Sequence, residues 1–347
     1  MPVQVYDNGA WSPSDNNFFK HITPLNAELL FTPGTLLQGN ITGNIIKGHM
    51  VPGVTPDFEE VVDGNRINQD KYTKLVNRRL TPILTHANES AKKNGISAII
   101  TLPGIGCGAF AGRFRGKMGE CLNKALQNII TKNANNYSNI ACIYYDPFDE
   151  CANQEKNING IKYRVRPAKD NLSKAQLSHP IDYQEQGDDF SNLKLYKIVA
   201  WDHVSFPGND YFIGSRNTDD GVAAAATNSM EVITNIKGEY KDGYYLPPSG
   251  NKNWQQVVKA NNTHLIAKNN VQIVTSDGAY VKLKEFEKNM QQLTHISQKL
   301  TNLNIEKQDQ DIIDKAKKHV NTVVSNTHHT TTPTVPNKRA TSPKRYK

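Results

Sequence analysis

A glycine-rich segment, Thr101–Phe114, contains the residue types that most directly suggest chemistry. Glycine lets the backbone approach a ligand closely, and backbone N–H groups in such a loop can bind an anion such as a diphosphate. The segment is not a P-loop, because no Gly-Lys-Ser/Thr follows it. A tight turn without a ligand is an equal alternative. The glycines concerned are Gly104, Gly106, Gly108 and Gly112.

A second segment supplies carboxylates. Leu195–Trp201 predicts a buried strand that ends at Asp202, and Asp210, Asp219 and Asp220 follow it. Carboxylates accept hydrogen bonds from sugar hydroxyls, orient water or pair with a cationic leaving group. Together the two segments suit a ligand that carries a diphosphate and a sugar. The aspartates also have structural interpretations as turn residues, and either Thr218 or Asp219 is a candidate helix N-cap.

Strands alternate with helices around both segments, which predicts an α/β sheet. In such sheets, ligands bind beyond the carboxyl ends of the strands. Each of the two segments begins at the carboxyl end of a predicted strand. The predicted strands are Glu28–Thr32, Ser97–Leu102, Asn139–Tyr145, Lys162–Val165 and Leu195–Trp201. His264–Ala267 and Val271–Thr275 predict two further strands, joined as a hairpin over residues 268–270. The predicted helices are Asp70–Lys93 with a kink or break at Pro82, Met118–Ile130, Val222–Met230, Val281–Leu300 and Asp309–Val324.

The organisation of the 347 residues follows from composition. Residues 1–27 predict a polar N-terminal arm without a core element. Residues 28–280 predict the main domain, with a polar insertion at about 150–192 and loops over 235–262. Residues 281–325 predict C-terminal helices, and residues 326–347 a disordered basic tail.

Charge and cysteine content exclude several classes of function. The net charge is +8, but five positive charges lie in the last ten residues, which leaves +3 for the rest. We therefore expect no nucleic-acid partner. The four cysteines show no metal-ligand spacing, so we expect no metal and no cofactor, although an Asp219–Asp220 pair also suits a hard cation. Cys107 is interpreted as filling the loop, with a nucleophile as the alternative. We expect no membrane span and no cleavable signal peptide.

Two motifs carry a resemblance to a known family. Leu102–Gly112, read as Leu-Pro-Gly-Ile-Gly-Cys-Gly-Ala-Phe-Ala-Gly, resembles the loop with which macrodomains hold ADP-ribose. The later block, from Trp201-Asp-His through Asn217-Thr-Asp-Asp-Gly to Ser229, resembles macrodomain effectors of the MavL type from Legionella. The resemblance covers roughly residues 28–280 and implies a three-layer α/β/α sandwich with a helical C-terminal extension.

The resemblance also implies an activity and a site. It implies an ADP-ribosylhydrolase that cleaves the N-glycosidic bond of a mono-ADP-ribosylated protein. The most specific substrate that it implies is ubiquitin ADP-ribosylated on an arginine. It implies secretion and action in host cytoplasm; ordinary cytoplasmic location is the alternative. Carried over residue by residue, the catalytic aspartates are Asp202, Asp210 and Asp220. The implied ligand-binding residues are Gly104, Ile105, Gly106, Cys107, Gly108, Ala109, Phe110 and Asp219.

Departures from the macrodomain pattern keep alternatives open. An Asn-Ala-Asn motif is absent, and so is a triple glycine followed by Gln-Glu-Glu, which disfavours cleavage of poly(ADP-ribose). The first alternative is a macrodomain that binds ADP-ribose without cleaving it. The second is a magnesium-dependent, all-helical ADP-ribosylhydrolase, and the predicted strands argue against it.

Overall fold

The predicted strands lie side by side in one seven-stranded sheet of order β1-β2-β9-β5-β6-β8-β7. The central strands β2, β9, β5, β6 and β8 are parallel to one another, whereas β1 and β7 pair antiparallel at the two edges. The sheet strands are β1 Pro2–Ser12, β2 Asn17–Pro33, β5 Ser97–Pro103, β6 Ile140–Asp146, β7 Gln154–Ile158, β8 Ile161–Val165 and β9 Leu193–Trp201.

The remaining elements are short strand pairs and helices. The pairs are β3 Val62–Asp63 with β4 Arg66–Ile67, β10 Glu239–Lys241 with β11 Tyr244–Leu246, and β12 Gln272–Val274 with β13 Tyr280–Lys282. The helices are α1 Pro56–Val61, α2 Gln69–Lys93, α3 Met118–Asn133, α4 Asp219–Ala226, α5 Ser229–Thr234, α6 Trp254–Asn261 and α7 Leu283–Asn302. Four 3₁₀ helices are Ala109–Phe114, Ala134–Asn136, Ala168–Asp170 and Pro180–Tyr183.

This computed structural model describes residues 1–14, 16–38, 55–171, 174–201, 211, 216–263, 272–274, 280–302 and 318. The chain forms two units, Met1–Lys284 and Glu285–Lys347. The second unit is described in helix α7 and at Lys318, so most of the predicted Asp309–Val324 helix lies outside the described residues.

Side chains alternate between the two faces of the sheet, as the period of a strand requires. In β5, Ala98, Ile100 and Leu102 join a core with apolar residues of α2 and α3, whereas Ile99 joins a second core with Ala223 of α4. Helices therefore cover both faces. This is the expected three-layer α/β/α sandwich.

The N-terminal segment differs from its prediction. Residues 2–12 and 17–33 form a hairpin that contributes two strands to the sheet, and Val3 and Val5 are buried in its core. The prediction of no core element in this segment is wrong. Its apolar alternation is interrupted by irregularities in register on both sides of Asp7, so the sequence pattern is weak although the pairing is extensive.

Two other polar regions also contain regular structure. β7 and β8 lie within the predicted insertion and complete the sheet, with Lys162–Val165 inside the observed strand β8. Arg164 is buried in β8 and forms ion pairs with Glu155 and Asp188, so polar residues hold this edge together. The region 235–262 was predicted as loops and contains β10, β11 and α6.

Several helices differ from their predictions; Val281 and Lys282, predicted to begin the last described helix, belong to strand β13. Helix α2 continues through Pro82, where a kink or a break was predicted. The predicted helix over Val222–Met230 is two short helices, because Thr227 pairs with Val5 in an isolated bridge between α4 and α5. The predicted hairpin over residues 268–270 falls outside the described residues, and Gln272–Val274 pairs with Tyr280–Lys282.

Candidate ligand-binding site

A cavity of about 750 Å³ opens at the carboxyl ends of the parallel strands. Its size lies within the range of small-molecule sites in proteins. The loops after β5, β6 and β8 contribute to its wall, together with β1, β9 and the first turn of α4. The lining residues are Asn8, Gly9, Ala10, Pro103, Gly104, Cys107, Gly108, Arg115, Gly116, Asp146, Pro147, Phe148, Asp149, Glu150, Ala168, Asn171, Lys174, Ala175, Gln176, Leu177, Lys197, Asp219 and Val222.

The glycine loop lies in the middle of this arrangement, because β5 stands between β9 and β6 in the sheet. Gly104, Cys107 and Gly108 face the cavity. Gly108 is exposed, and nothing lies within 4 Å of the position that a Cβ atom would occupy there. The backbone at this end of the loop is therefore accessible to a ligand.

Other residues of the loop have structural tasks. Gly106 has φ 76°, and a Cβ atom there would lie 2.7 Å from the backbone nitrogen of Thr35, so the position requires glycine. Ile105 is buried in the core, and the carbonyl of Phe110 accepts a hydrogen bond from the amide of Leu37 at 2.7 Å. Ile105, Gly106, Ala109 and Phe110 do not line the cavity.

A buried lysine forms the centre of the polar network beside the loop. Lys197 of β9 has only 2% of its side chain exposed, and its Nζ donates to Asp219 Oδ1 at 3.0 Å and to Gln176 Oε1. Asp219 Oδ2 accepts from the amide of Ala200 at 2.6 Å. The network therefore joins β9, α4 and the segment around Gln176, which also hydrogen-bonds to Thr101 through its carbonyl at 2.9 Å.

Lys197 was missed by the sequence analysis, although the signal was present. It interrupts the apolar run of Leu195–Trp201, and a charged side chain inside a buried strand needs a partner. A lysine in such a strand indicates a polar site on one face of the sheet.

The two aspartates in the first turn of α4, Asp219 and Asp220, differ in their surroundings. Thr218 is the N-cap, and its Oγ1 accepts from the amide of Gly221 at 3.2 Å. The same hydroxyl donates to Asp220 Oδ1 at 2.7 Å. Asp220 is buried and does not line the cavity, whereas Asp219 does. Asp202 and Asp210 lie outside the described residues.

The N-terminus of helix α3 is already filled by a carboxylate. Glu150 accepts hydrogen bonds from the amides of Gly116 at 2.8 Å and Gly119 at 2.5 Å. A helix N-terminus attracts negative charge, so Glu150 takes the position where an anion would otherwise bind. The amides at the start of α3 are therefore already occupied, whereas the backbone at Gly108 is accessible.

The thiol of Cys107 is poorly suited to nucleophilic chemistry. Burial, with a further contribution from Glu150, raises the pKa of Cys107 above its usual value. A raised pKa keeps the sulfur protonated, and the thiolate is the reactive form. The interpretation as a residue that fills the loop is the one that this environment favours.

Three arginines in or next to the two motifs, Arg113, Arg115 and Arg216, occupy different places. Arg113 lies over the rings of Phe58 and Phe114, with distances of 5.2 and 5.0 Å to their centroids. Arg216 is buried in an ion pair with Asp7. Of these three arginines, Arg115 is the one that lines the cavity.

Comparison with known protein families gives a match that spans the residues of this cavity. A family model described as macrodomain effector MavL matches residues 1–251. The chain belongs to the MavL family of macrodomain effectors. The match includes the complete seven-stranded sheet and every residue that lines the cavity. It also includes the N-terminal hairpin, so this hairpin is part of the MavL-family region. Helix α6 and the elements after it follow the matched region.

The search of curated proteins gives no match to this MavL-family chain. In the part of the chain that the structure describes, no helix is long and apolar enough to cross a membrane. The same residues contain no group of three or more His, Cys, Asp or Glu side chains arranged to hold a metal ion.

Proposed function

We propose that the cavity binds ADP-ribose and that the chain removes mono-ADP-ribose from a modified protein. The observation that carries this proposal is the position of the glycine loop between two polar walls at the carboxyl end of a macrodomain sheet. Accessible backbone at Gly108 suits a diphosphate, and carboxylate oxygens on α4 suit ribose hydroxyls. The family description supports the nucleotide class, because ADP-ribose is the characteristic ligand of macrodomains.

In this proposal, aspartates assist the attack of water at the anomeric carbon of the distal ribose. A carboxylate takes a proton from water, the water oxygen bonds to the anomeric carbon, and the bond to the guanidine nitrogen breaks. The leaving nitrogen takes a proton, so the products are ADP-ribose and an unmodified arginine. Asp202, Asp210 and Asp220 are the candidates for these roles. Asp219 is held by Lys197 and Ala200 and is proposed to bind ligand.

A reader of ADP-ribose is the second candidate, and one observation favours it. Asp220 is buried and stands outside the cavity lining, so in this conformation it does not face the space in which a ligand would lie. A protein that binds without cleaving needs no carboxylate at the anomeric carbon. The two candidates differ in turnover and agree on affinity for free ADP-ribose.

We propose ubiquitin modified on an arginine as the protein substrate and the host cell as the place of action. The description of the family as effectors supports the second statement. The proposed chemistry inside the cavity does not depend on either statement, because it involves only the ADP-ribose group and the side chain linked to it.

The test is incubation of the purified chain with arginine-ADP-ribosylated ubiquitin, followed by intact mass measurement. We expect the unaltered chain to remove the mass of ADP-ribose, and we expect Asp220→Asn to lose most of this activity. Asp70→Asn, a change at an exposed aspartate on α2, is the matched control and should remain active. Binding of free ADP-ribose without loss of mass would favour the reader.

A further inference from the structure

The irregular part of strand β1 forms one wall of the cavity. Asn8, Gly9 and Ala10 line it, and the register of the β1–β2 hairpin shifts on both sides of Asp7. A shift in register lets a strand bulge away from its partner and re-aim its side chains. The cavity therefore receives a wall from the N-terminal hairpin, in addition to the loops that follow the parallel strands.

Asp7 and Asn8 fix the shape of this bulge. Asp7 Oδ1 accepts a hydrogen bond from the amide of Gly9 at 2.8 Å, and Asn8 Oδ1 accepts one from the amide of Ala10 at 2.9 Å. Gly9 has φ 84°, a backbone conformation that residues with a side chain rarely adopt. The bulge is therefore an ordered turn within the strand.

Buried contacts anchor Asp7 in turn. Its carboxylate is fully buried, pairs with the guanidinium of Arg216 at 2.5 Å and accepts from the hydroxyl of Tyr240 at 2.9 Å. The guanidinium also lies 3.6 Å from the centroid of the Phe18 ring. Because Arg216 precedes Thr218, the N-cap of α4, by two residues, the same ion pair joins the bulge to the start of α4.

The bulge lies on the same side of the glycine loop as Asp219. In the sheet, β1 and β9 are both on one side of β5, the strand that leads into the glycine loop. A Cβ atom at Gly9 would lie 3.2 Å from Cγ1 of Val222, and Val222 follows Asp219 by about one turn of α4. The part of a ligand that reaches Asp219 therefore lies near the bulge.

The side chain of Asn8 supplies hydrogen-bond donors to this part of the cavity. A backbone N–H group only donates, so the Asn8 atom that faces the amide of Ala10 is the oxygen, and Nδ2 is the other branch. Among the residues that the structure describes, none accepts a hydrogen bond from Asn8 Nδ2. Asp219, paired with Lys197, offers acceptors. A sugar hydroxyl both donates and accepts, so an amide and a carboxylate together suit neighbouring hydroxyls.

We propose that Asn8 binds the sugar that follows the diphosphate and thereby selects nucleotides that carry this second sugar. Asn8 Nδ2 donates to one hydroxyl of the sugar, and Asp219 accepts from a neighbouring one. This inference rests on the proposed function, since it assumes that the distal ribose of ADP-ribose lies beside α4. It adds a residue of the N-terminal hairpin to the binding site.

Calorimetric titration with two ligands tests this inference. ADP-ribose carries the second sugar and ADP lacks it; ADP is titrated in competition with ADP-ribose, so that weaker binding is still measured. We expect Asn8→Ala to weaken binding of ADP-ribose by roughly 3- to 10-fold, the range for one hydrogen bond between neutral groups. Binding of ADP should not change. Asn26→Ala, at an exposed asparagine of β2 outside the cavity, is the matched control and should bind both ligands as the unaltered chain does.

A second variant separates the donor from the turn. Asn8→Asp keeps an oxygen that accepts from the amide of Ala10, so the bulge should remain and the melting temperature should match that of the unaltered chain. An ionised carboxylate cannot donate, so this variant should lose at least as much affinity for ADP-ribose as Asn8→Ala does. Undiminished affinity in Asn8→Asp would show that the turn matters and the donor does not, which overturns the inference.

Two further results would overturn the inference while leaving the proposed function intact. Unchanged affinity for ADP-ribose in Asn8→Ala would show that Asn8 does not contact the sugar. Equal losses of affinity for ADP-ribose and ADP would show that Asn8 acts on the nucleotide part or on the fold. If the unaltered chain binds neither ligand, the proposed function fails and the inference fails with it.

Discussion

Strand β9 carries two lysines whose surroundings differ in an instructive way. Lys194 lies near the start of the strand and Lys197 three residues later, so the two side chains project from opposite faces of the sheet. Lys194 donates to Glu28 Oε2 at 2.9 Å, and His86 lies 2.6 Å from the other oxygen of Glu28. Lys197 bonds to Asp219 and Gln176 on the floor of the cavity.

The Lys194 cluster is closed, whereas the Lys197 cluster borders open space. Tyr196 and Ser90 complete the first cluster through a hydrogen bond of 3.0 Å, and none of its members lines the cavity. In the second cluster, Lys197, Asp219 and Gln176 all line it. A buried ion pair alone therefore does not mark a site. The pair that borders a cavity at the carboxyl end of the sheet is the one with a chemical role to test.

The largest expected effect on stability comes from Asp219→Ala. This change leaves the ammonium of Lys197, which is almost fully buried, with Gln176 as its remaining hydrogen-bond acceptor. Removing one partner of a buried ion pair lowers the free energy of unfolding by about 3–5 kcal/mol. Because Asp219 is partly exposed, we expect a loss near the lower end, about 3 kcal/mol. Urea unfolding measures the loss. The double variant with Lys197→Met should recover part of it, and a loss below about 1 kcal/mol would contradict the account.

A somewhat smaller effect is expected from pH at the Lys194 cluster. Burial alone would raise the pKa of Glu28, but hydrogen bonds from His86 and Lys194 outweigh it and lower the pKa from 4.5 to about 2. The folded state therefore binds this proton less readily than the unfolded state. The stabilisation is fully present above about pH 4.5 and is lost as the pH falls toward 2. The shift corresponds to at most about 3 kcal/mol.

Urea midpoints measured from pH 6 to pH 2.5 check this expectation. Glu28→Gln should be less stable at pH 6 and should show a flatter decline in acid than the unaltered chain. An identical acid decline in both proteins would place the acid sensitivity elsewhere. Phe19→Ala is a suitable control, because Phe19 is exposed and outside the cluster.

The sequence was most informative where the spacing of apolar residues follows the period of a single strand or helix. The strands β5, β6 and β9 and the helices α2 and α3 follow from short apolar runs and from spacings of three and four residues. The strand–glycine loop–helix unit placed Gly104, Cys107 and Gly108 at the cavity. Thr218 was a predicted cap and is one, because a short hydroxyl side chain before a helix satisfies a free amide.

Predictions failed where contacts distant in sequence decide the structure. The hairpin of β1 and β2 is irregular around Asp7, and its pairing depends on partners that periodicity does not show. β8 is held by ion pairs of Arg164 with residues before and after it in the sequence. Glu150 fills the start of α3 from about thirty residues away, and Phe148 owes its conformation to Asp146 and the following loop. No local pattern contains this information.

The central claim is that the carboxyl-end cavity binds ADP-ribose, and calorimetric titration with free ADP-ribose tests it most directly. We expect micromolar binding by the unaltered chain and none by Gly108→Val, since the added side chain enters the open space that a ligand would use at the loop. Lys194→Met, at the closed cluster, should bind as the unaltered chain does. Absence of binding by the unaltered chain, or undiminished binding by Gly108→Val, would contradict the account.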